Sequence, residues 1–297
     1  MSSPVQRNTL VVEEAEIIAQ RAFAADQYTL TLKAPQCALR AQPGMFAHLT
    51  CAPHLSMRRP LSIMRVSRDQ GHVEFLYKAV GLGTTELSKR RPGEKISLLG
   101  PIGKPFNPIP DKPRCLLLGG GVGIPPMVFL ADHLRKLPGD WQPVAFLGSE
   151  VPFPFSPRPS RLLLPGLPAQ AIATLPLLED WGILCRLASG QSLPGCYEGY
   201  VTDLARTYLD QLSSEEQGKT AIFACGPEPM LAATARLAQE YNLPCQIALE
   251  EFMACGVGGC AGCTVAVHTP TGLAMKRVCV DGPVFDANTI YPAAAAN

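Results

Sequence analysis

Four cysteines near the C-terminus limit what this chain can fold into more than any other feature of its sequence. Cys255, Cys260, Cys263 and Cys279 have the spacing C-x4-C-x2-C-x15-C, and the first three lie in the glycine-rich run ACGVGGCAGC. Thiolates this close in sequence can meet one metal centre only if the backbone curls around it. The glycines of the run permit the positive φ angles and the close approach that this requires. The spacing therefore predicts a 2Fe-2S cluster whose fourth ligand comes from a later strand.

Two other interpretations of the four cysteines are a structural zinc site and a disulfide pair. Zinc sites more usually present two separated pairs of the C-x2-C type. A disulfide framework usually belongs to a small secreted chain. Both interpretations suit this spacing less well than an iron–sulfur site does.

Length and composition place the chain among ordinary globular proteins and exclude several classes. The 297 residues allow about two domains and a small appendage. Lys and Arg total 26 against 25 Asp and Glu, and no basic stripe is present, so we expect no nucleic-acid partner. The N-terminus does not resemble a secretion signal, and prolines and charges interrupt the apolar stretch at 161–187, so we expect no membrane span. Eleven cysteines without a signal peptide predict a cytoplasmic location.

The pattern of apolar residues changes near residue 108. Before it, short alternating strands predict an all-β barrel or sandwich. A proline-rich passage at 105–113 follows as a linker, and after it the order strand, helix, strand predicts a parallel α/β unit. The proline-rich stretch at 151–200 gives no clear assignment. The predicted strands of the first region are QYTLTLKAP, MFAHLTC, LSIMRV, HVEFLYKAV and KISLLG.

Two motifs in the β-rich region suit a flavin nucleotide. Arg59-Pro60-Leu61-Ser62 provides an arginine fork and a hydroxyl that can hold a pyrophosphate. Further on, Gly81-Leu82-Gly83-Thr84 offers backbone N–H groups and a second hydroxyl without side-chain obstruction. Taken alone, an arginine beside a proline is more often a surface residue. Together the two motifs predict an FAD site.

Two strand-to-helix junctions in the α/β region suit a nicotinamide dinucleotide. The first is Gly119–Pro126, where Gly120, Gly121 and Gly123 let the backbone approach a pyrophosphate, although such a turn can also serve close packing. The second is Cys225-Gly226-Pro227, and both junctions follow strands whose carboxyl ends face a ligand crevice in such sheets. Glu150, after the strand at 143–148, suits a free ribose hydroxyl and favours NADH over NADPH.

With these motifs in their order, the chain resembles the electron-transfer subunits of the dihydroorotate dehydrogenases that use NAD. The segments that carry the resemblance are R-P-L-S, G-L-G-T, GGGVGIPPM, CGPEPML, EEFMACGVGGCAGC and CVDGPVFD. The resemblance implies an FAD-binding Greek-key β barrel at 1–108, an NAD-binding α/β domain at 109–250 and a small 2Fe-2S domain at 251–297. It also implies a set of FAD-holding residues, namely Arg59, Pro60, Leu61, Ser62, Leu76, Tyr77, Lys78, Gly83 and Thr84.

The same resemblance implies a function in pyrimidine biosynthesis. The chain is then an NAD(H)-dependent oxidoreductase subunit that passes electrons between an FMN-containing dihydroorotate dehydrogenase and NAD, through a 2Fe-2S cluster and FAD. A flavin suits this position because it can exchange either a hydride or single electrons. No Ser-His-Asp or paired-carboxylate constellation calls for a general base, and no histidine is assigned a role. The alternatives are a reductase that serves ferredoxin, a hydrogenase or another oxidoreductase, and a non-catalytic iron–sulfur redox sensor.

Overall fold

A computed structural model describes residues 10–293 of the chain. It contains a closed six-stranded barrel, a seven-stranded sheet with helices on its faces and a C-terminal hairpin. The predicted domain limits at residues 1 and 297 lie outside the described residues. Among the residues described, no helix combines the length and the apolar character needed to cross a membrane.

The first part of the chain consists mainly of strands, and the later part contains both strands and helices. The strands are β1 (Val11–Phe23), β2 (Gln27–Lys33), β3 (Phe46–Leu49), β4 (Arg59–Ser67), β5 (His72–Lys78), β6 (Lys95–Ile102), β7 (Arg114–Gly120), β8 (Gln142–Gly148), β9 (Arg158–Pro159), β10 (Ala173–Thr174), β11 (Leu184–Ser189), β12 (Tyr197–Glu198), β13 (Thr220–Cys225), β14 (Cys245–Ala248), β15 (Thr264–Thr269), β16 (Gly272–Arg277) and β17 (Val284–Asp286). The helices are α1 (Pro35–Arg40), α2 (Leu82–Ser88), α3 (Ile124–Leu134), α4 (Pro176–Asp180), α5 (Val201–Asp210), α6 (Ser214–Gly218), α7 (Glu228–Glu240), α8 (Val278–Asp281) and α9 (Ala287–Ile290).

The N-terminal half closes into a barrel with the strand order β1-β2-β5-β4-β3-β6, and every pairing in it is antiparallel. Alternate residues of each strand point inwards and form one apolar core that includes Ile17, Leu30 and Phe75. This confirms the predicted β barrel. The longest strand, β1, has no place among the short strands that the sequence predicts, because acidic residues at 13, 14 and 16 interrupt its apolar pattern.

The second half builds a sheet in the order β12-β11-β8-β7-β13-β14-β17. All pairings are parallel except that of β17, which confirms the predicted α/β unit. The chain runs from β7 outwards to β12 and then returns to place β13 on the other side of β7. In such sheets a ligand crevice opens where the strand order reverses, here beyond the carboxyl ends of β7 and β13.

The proline-rich stretch at 151–200 supplies one full strand and several short pieces. β11 lies next to β8 inside the sheet, and its side chains are almost all buried. β9 and β10 form a separate two-residue pairing, and α4 leads into β11. Prolines lie on both sides of β11 but not within it, which is why the sequence pattern obscures this strand.

The cysteine-rich segment packs against the barrel and also rejoins the sheet. Phe46 and Ile102 of the barrel share an apolar cluster with Cys263 and Cys279. After the β15–β16 hairpin, β17 pairs with β14 and extends the sheet. The domain boundaries at 108 and 250 stay predictions.

The barrel and the sheet form a common interface through α3. Phe129 of α3 packs with the core residues of the barrel. Nearby, two guanidinium groups contact the ring of Trp181, with centroid distances of 5.5 Å to Arg65 Cζ and 4.6 Å to Arg135 Cζ. Because Arg65 belongs to β4 and Arg135 directly follows α3, these contacts link the two halves of the molecule.

Candidate functional site

Arg59 and Gly83 come together at one end of the barrel. A Cβ atom added to the buried Gly83 would lie 2.5 Å from Arg59 Nε and 2.8 Å from Cζ, closer than real Cβ contacts come. Only glycine at this position leaves room for the guanidinium group. Arg59 donates hydrogen bonds to the carbonyls of Met57 and Arg58, which hold it beside the turn before α2. An arginine fork next to a glycine turn fits the pyrophosphate of a dinucleotide such as FAD.

The hydroxyl of Thr84 forms hydrogen bonds with the backbone at the N-terminal end of α2. It accepts hydrogen bonds from the backbone N–H groups of Val80 (3.1 Å) and Gly81 (3.3 Å), and it lies 3.2 Å from the Gly81 carbonyl. The predicted contact between this hydroxyl and a pyrophosphate would compete with these bonds. Thr84 therefore shapes the turn that presents Gly83.

The remaining predicted flavin residues divide between the two faces of the barrel wall. Leu61 and Tyr77 point into the barrel core, where the Tyr77 hydroxyl donates to Gln20 Oε1 at 3.2 Å and its ring stacks on Tyr28. Only their backbone groups are available to a ligand outside the barrel. The side chains that alternate with them face outwards, namely Pro60, Ser62, Leu76 and Lys78.

The two glycine-containing turns of the α/β half meet at the switch point of the sheet. A Cβ atom added to Gly123 would overlap the carbonyl of Cys225 and lie 2.5 Å from Gly226 N. At Gly120 an added Cβ would lie 2.5 Å from Met230 Sδ and 3.2 Å from Pro227 Cδ. The glycines thus let the two turns touch, which is the packing role that the sequence left open. In sheets of this kind a dinucleotide binds at such a junction, beyond the carboxyl ends of the strands.

Gly121 is open at this junction, whereas the side chain of Cys225 is buried in the apolar core of the α/β half. Gly121 has a φ of 54°, and nothing would lie within 4 Å of an added Cβ atom, so the backbone there is open to a ligand. Burial, and then the Glu250 carboxylate, raises the pKa of the Cys225 thiol well above its ordinary value. Cys225 is therefore a neutral thiol at pH 7. Glu150 is exposed after the carboxyl end of β8, at the edge of the sheet that faces the crevice.

The four C-terminal cysteines form two pairs. The side chains of Cys255 and Cys260 hydrogen bond to each other, and those of Cys263 and Cys279 do the same. In addition, the Cys279 N–H donates to Cys263 Sγ at 3.5 Å. Cys263 and Cys279 are buried, whereas Cys260 is exposed.

Backbone N–H groups converge on the first cysteine of the loop. Burial raises the pKa of Cys255, but hydrogen bonds from the N–H groups of Cys260, Val257 and Gly259 and from the Cys260 thiol lower it to about 6 overall. Burial, followed by the neighbouring thiol of Cys263, raises the pKa of Cys279 to about 12. A loop that already stabilises one thiolate suits a metal centre with thiolate ligands.

The paired arrangement distinguishes two kinds of metal site. Within residues 10–293, no three side chains from His, Cys, Asp and Glu converge as they would around one metal ion. A zinc ion has all four ligands around a single point. A 2Fe-2S cluster instead takes two cysteines on each iron. Two pairs therefore fit a two-iron cluster better than a zinc ion. All eleven cysteines lie within the described residues, and none of them forms a disulfide in this structure.

The loop curls by a slightly different route from the one predicted. Gly256 and Gly258 have positive φ angles, as expected, whereas Gly259 and Gly262 do not. The third left-handed position is taken by Ala261, with a φ of 56°. The Arg277 guanidinium donates to the Gly258 carbonyl at 2.7 Å and ties the loop to the end of β16.

Comparison with known proteins finds matches over nearly the whole chain. Residues 10–106 match the model of an oxidoreductase FAD-binding domain, and residues 250–291 match that of the iron–sulfur cluster binding domain of dihydroorotate dehydrogenase B. A relative from Desulforamulus reducens, named dihydroorotate dehydrogenase B (NAD(+)), electron transfer subunit, is 32% identical over 279 residues, which are 92% of this chain and 96% of the relative. A relative of the same name from Geobacillus kaustophilus is 32% identical over 284 residues, covering 94% of this chain and 98% of the relative.

Solved structures share the fold. A chain of the NADH-dependent reduced ferredoxin-NADP oxidoreductase superposes with a TM-score of 0.75 at 24% identity and covers 94% of this chain and 90% of its own. The ferredoxin reductase of carbazole 1,9a-dioxygenase gives a TM-score of 0.61 at 23% identity, over 79% of this chain and 67% of its own. These identities support the architecture of barrel and sheet alone.

Proposed function

The chain belongs to the family of dihydroorotate dehydrogenase B electron transfer subunits, and we propose that it carries electrons between NAD and a separate dihydroorotate dehydrogenase that contains FMN. It is an oxidoreductase subunit of pyrimidine biosynthesis, with FAD, a 2Fe-2S cluster and NAD(H) as its redox groups. Its activity is electron transfer, and oxidation of dihydroorotate belongs to the partner.

One observation carries this proposal: the cysteine loop lies against the barrel strand next to the proposed flavin strand. A Cβ atom added to Gly256 would lie 2.9 Å from the ring of His48 on β3, and β3 pairs directly with β4, which begins at Arg59. A one-electron site and a flavin site are thus neighbours in a single chain. Bound FAD connects them to nicotinamide because it exchanges both hydrides and single electrons.

The residues of the chain have separate tasks in this transfer. Arg59 would neutralise the flavin pyrophosphate, and Gly83 keeps that position open. Gly120, Gly121 and Gly123 would admit the pyrophosphate of NAD at the switch point. Gly226 and Pro227 form the facing wall of the crevice. Cys225 precedes this wall, and its buried neutral thiol would add no charge near the nicotinamide.

The two cysteine pairs give the proposed cluster a direction. Cys263 and Cys279, which are buried, would hold one iron of the cluster, and Cys255 and the exposed Cys260 would hold the other. Cys260 is exposed, so the pair of Cys255 and Cys260 includes the solvent-facing side of the loop. We place the docking face of the partner on that side.

Substitution of Cys260 by Ser tests the proposal by separating two half-reactions. Because Cys260 is exposed, the change does not disturb packed core. We expect NADH to reduce the FAD of C260S at close to the wild-type rate. The rate of electron transfer to the partner should fall by at least about 100-fold, because that step requires the cluster. Absorption and EPR spectra before and after anaerobic NADH addition follow the two steps.

The control for this experiment is Cys196→Ser, which alters a cysteine buried in the α/β core, away from the loop. It should retain transfer in proportion to its folded fraction. Loss of both half-reactions in C260S would mean that this residue supports folding rather than electron exit. Zinc in the purified wild-type loop would remove the proposed route altogether.

The identity of the partner is tested with the same purified protein. Association with the FMN subunit and reduction by dihydroorotate are expected, whereas selective reduction of ferredoxin or a hydrogenase would support the alternative acceptors. Flavin that NADH does not bleach would support the redox sensor. We also propose a cytoplasmic location, since eleven cysteines without a disulfide among the described residues fit a reducing compartment.

A further inference from the structure

His48 is a buried polar residue between the two proposed redox sites. Its side chain has no exposed surface. Within the described chain, neither Nδ1 nor Nε2 has a hydrogen-bond partner. Buried polar groups in folded proteins nearly always have a partner, so this ring is placed for a partner that the polypeptide itself does not supply.

The register of β3 shows which way the ring points. Ala47 and Leu49 belong to the barrel core, so Phe46 and His48 point outwards from the barrel wall. His48 is paired with Pro60 on β4 and with Leu99 on β6. Residues directly opposite in antiparallel strands lie on the same face. The imidazole therefore shares its face with a residue of the proposed flavin strand.

The cysteine loop covers the same face. The nearest atoms to a Cβ added at Gly256 are Nδ1 (2.9 Å) and Cε1 (3.0 Å) of His48. Gly256 follows Cys255 directly, and its φ of 66° forms part of the turn of the loop. The loop thus presents its smallest residue to the ring, and the ring nitrogen faces the backbone that carries the first cysteine.

The neutral charge state of the His48 imidazole leaves it one N–H group with which to donate a hydrogen bond. Burial, followed by the cations of Arg58 and Arg59, lowers the pKa of His48 to about 4. A neutral imidazole carries one N–H donor and one acceptor nitrogen. Of its immediate neighbours, Pro60 and Leu99 have no polar side-chain atom, and Phe46 meets it edge-on with a centroid distance of 6.0 Å.

We propose that His48 is a positioning residue of the electron path, whose imidazole donates a hydrogen bond across the interface to the sulfur atoms of the cluster held by the cysteine loop. This inference rests on the proposed function, because it requires iron in the loop. Hydrogen bonds to cluster sulfurs stabilise the reduced, more negative state and raise the reduction potential. His48 would thereby set the potential at which the cluster exchanges electrons with the flavin side of the same wall.

The test compares His48→Leu, which removes the donor at similar volume, with His48→Gln, which keeps an N–H group. The matched control is Phe46→Leu, which alters the same outward face without removing a donor. The cluster potential of each anaerobically purified holoprotein is measured by redox titration with EPR detection. We expect H48L to lower the reduced-to-oxidised ratio at a given solution potential about tenfold, equivalent to about 59 mV for one electron. H48Q should recover most of this shift, and F46L should change the ratio less than about twofold.

A second measurement needs no variant. In wild-type protein that carries ring-labelled 15N-histidine, pulsed EPR of the reduced cluster should detect a coupling to an imidazole nitrogen. If H48L fails to retain the cluster, this coupling in the wild-type protein tests the hydrogen bond from His48. The presence of the coupling supports the inference, and its absence overturns it.

An unchanged potential in iron-loaded H48L overturns the inference and leaves the proposed function intact. An equal shift in F46L also overturns it, because packing rather than a hydrogen bond would then set the potential. Wild-type protein without iron in the loop overturns the proposed function and this inference together.

Discussion

Replacing Gly83 by Ala should weaken FAD binding while leaving the protein folded. The added Cβ atom would lie 2.5 Å from Arg59 Nε, so the guanidinium must retreat by about 1 Å to reach an ordinary contact near 3.5 Å. The side chain of Arg59 is half-buried and flexible, so it yields before the backbone does. The perturbation therefore falls on the group that we place against the flavin pyrophosphate.

The size of the effect follows from the bond that is lost. A hydrogen bond to a charged group contributes about 1.5–3 kcal/mol, which corresponds to FAD binding about 10- to 150-fold weaker. Gly83 lies in the first turn of α2, where Ala has the higher helix propensity. The apoprotein should thus be as stable as wild type or slightly more so. A drop in affinity without a drop in stability distinguishes a displaced ligand group from a damaged fold.

The assay is a fluorescence titration of flavin-free protein with FAD, beside a thermal melt of the same sample. Gly81→Ala is the matched control, because nothing would lie within 4 Å of its added Cβ atom. It should change FAD affinity less than about threefold, the scale of a weakened helix cap. Wild-type affinity in G83A would refute the placement of Arg59 on the pyrophosphate. Equal losses in both variants would assign the effect to the start of α2.

Three further predictions concern the crevice, the cysteine loop and the interface. Gly123→Ala should lower the free energy of unfolding in denaturant by at least about 2 kcal/mol and abolish NADH reduction of the flavin, because the added Cβ atom would overlap the backbone carbonyl of Cys225. An unchanged free energy of unfolding would contradict the close contact between the two turns. In cluster-free protein, the rate at which Cys255 reacts with iodoacetamide should rise through pH 6 and level off by about pH 7.5. The reason is that the thiolate is the nucleophile and the pKa of Cys255 is about 6. If mass mapping shows this rate still rising above about pH 8, the loop does not stabilise the Cys255 thiolate as described. Trp181→Ala should lower the free energy of unfolding by about 1–3 kcal/mol, because the ring contacts the guanidinium groups of Arg65 and Arg135. Trp181→Phe keeps an aromatic ring and should keep most of the wild-type stability. An equal loss of stability in both variants would exclude the arginine contacts as the cause.

The cysteine spacing and the strand patterns predict much of this molecule because they are local. A C-x4-C-x2-C loop can bring thiolates together through its own backbone, and a glycine turn between a buried strand and a helix serves a dinucleotide wherever that unit occurs. The alternating segments up to residue 100 likewise confine their apolar side chains to one face, which was enough to predict an all-β barrel or sandwich, while the family resemblance specified the barrel. The same logic fails for β1, whose acidic residues break the alternation, and for β11, which prolines flank on both sides.

Only the tertiary structure decides which face each residue of a motif occupies and what lies opposite it. Leu61 and Tyr77 belong to the flavin motifs in sequence, yet the strand register turns them into the barrel core. The division of the cysteines into pairs depends on how the hairpin returns to the loop, since Cys279 is distant along the chain from its neighbour Cys263. Nothing in the segment MFAHLTC marks His48, because its lack of a partner arises from contacts with a loop about two hundred residues away. Sequence patterns describe what a segment can do by itself, whereas burial and hydrogen bonding of a side chain depend on segments that only folding brings together.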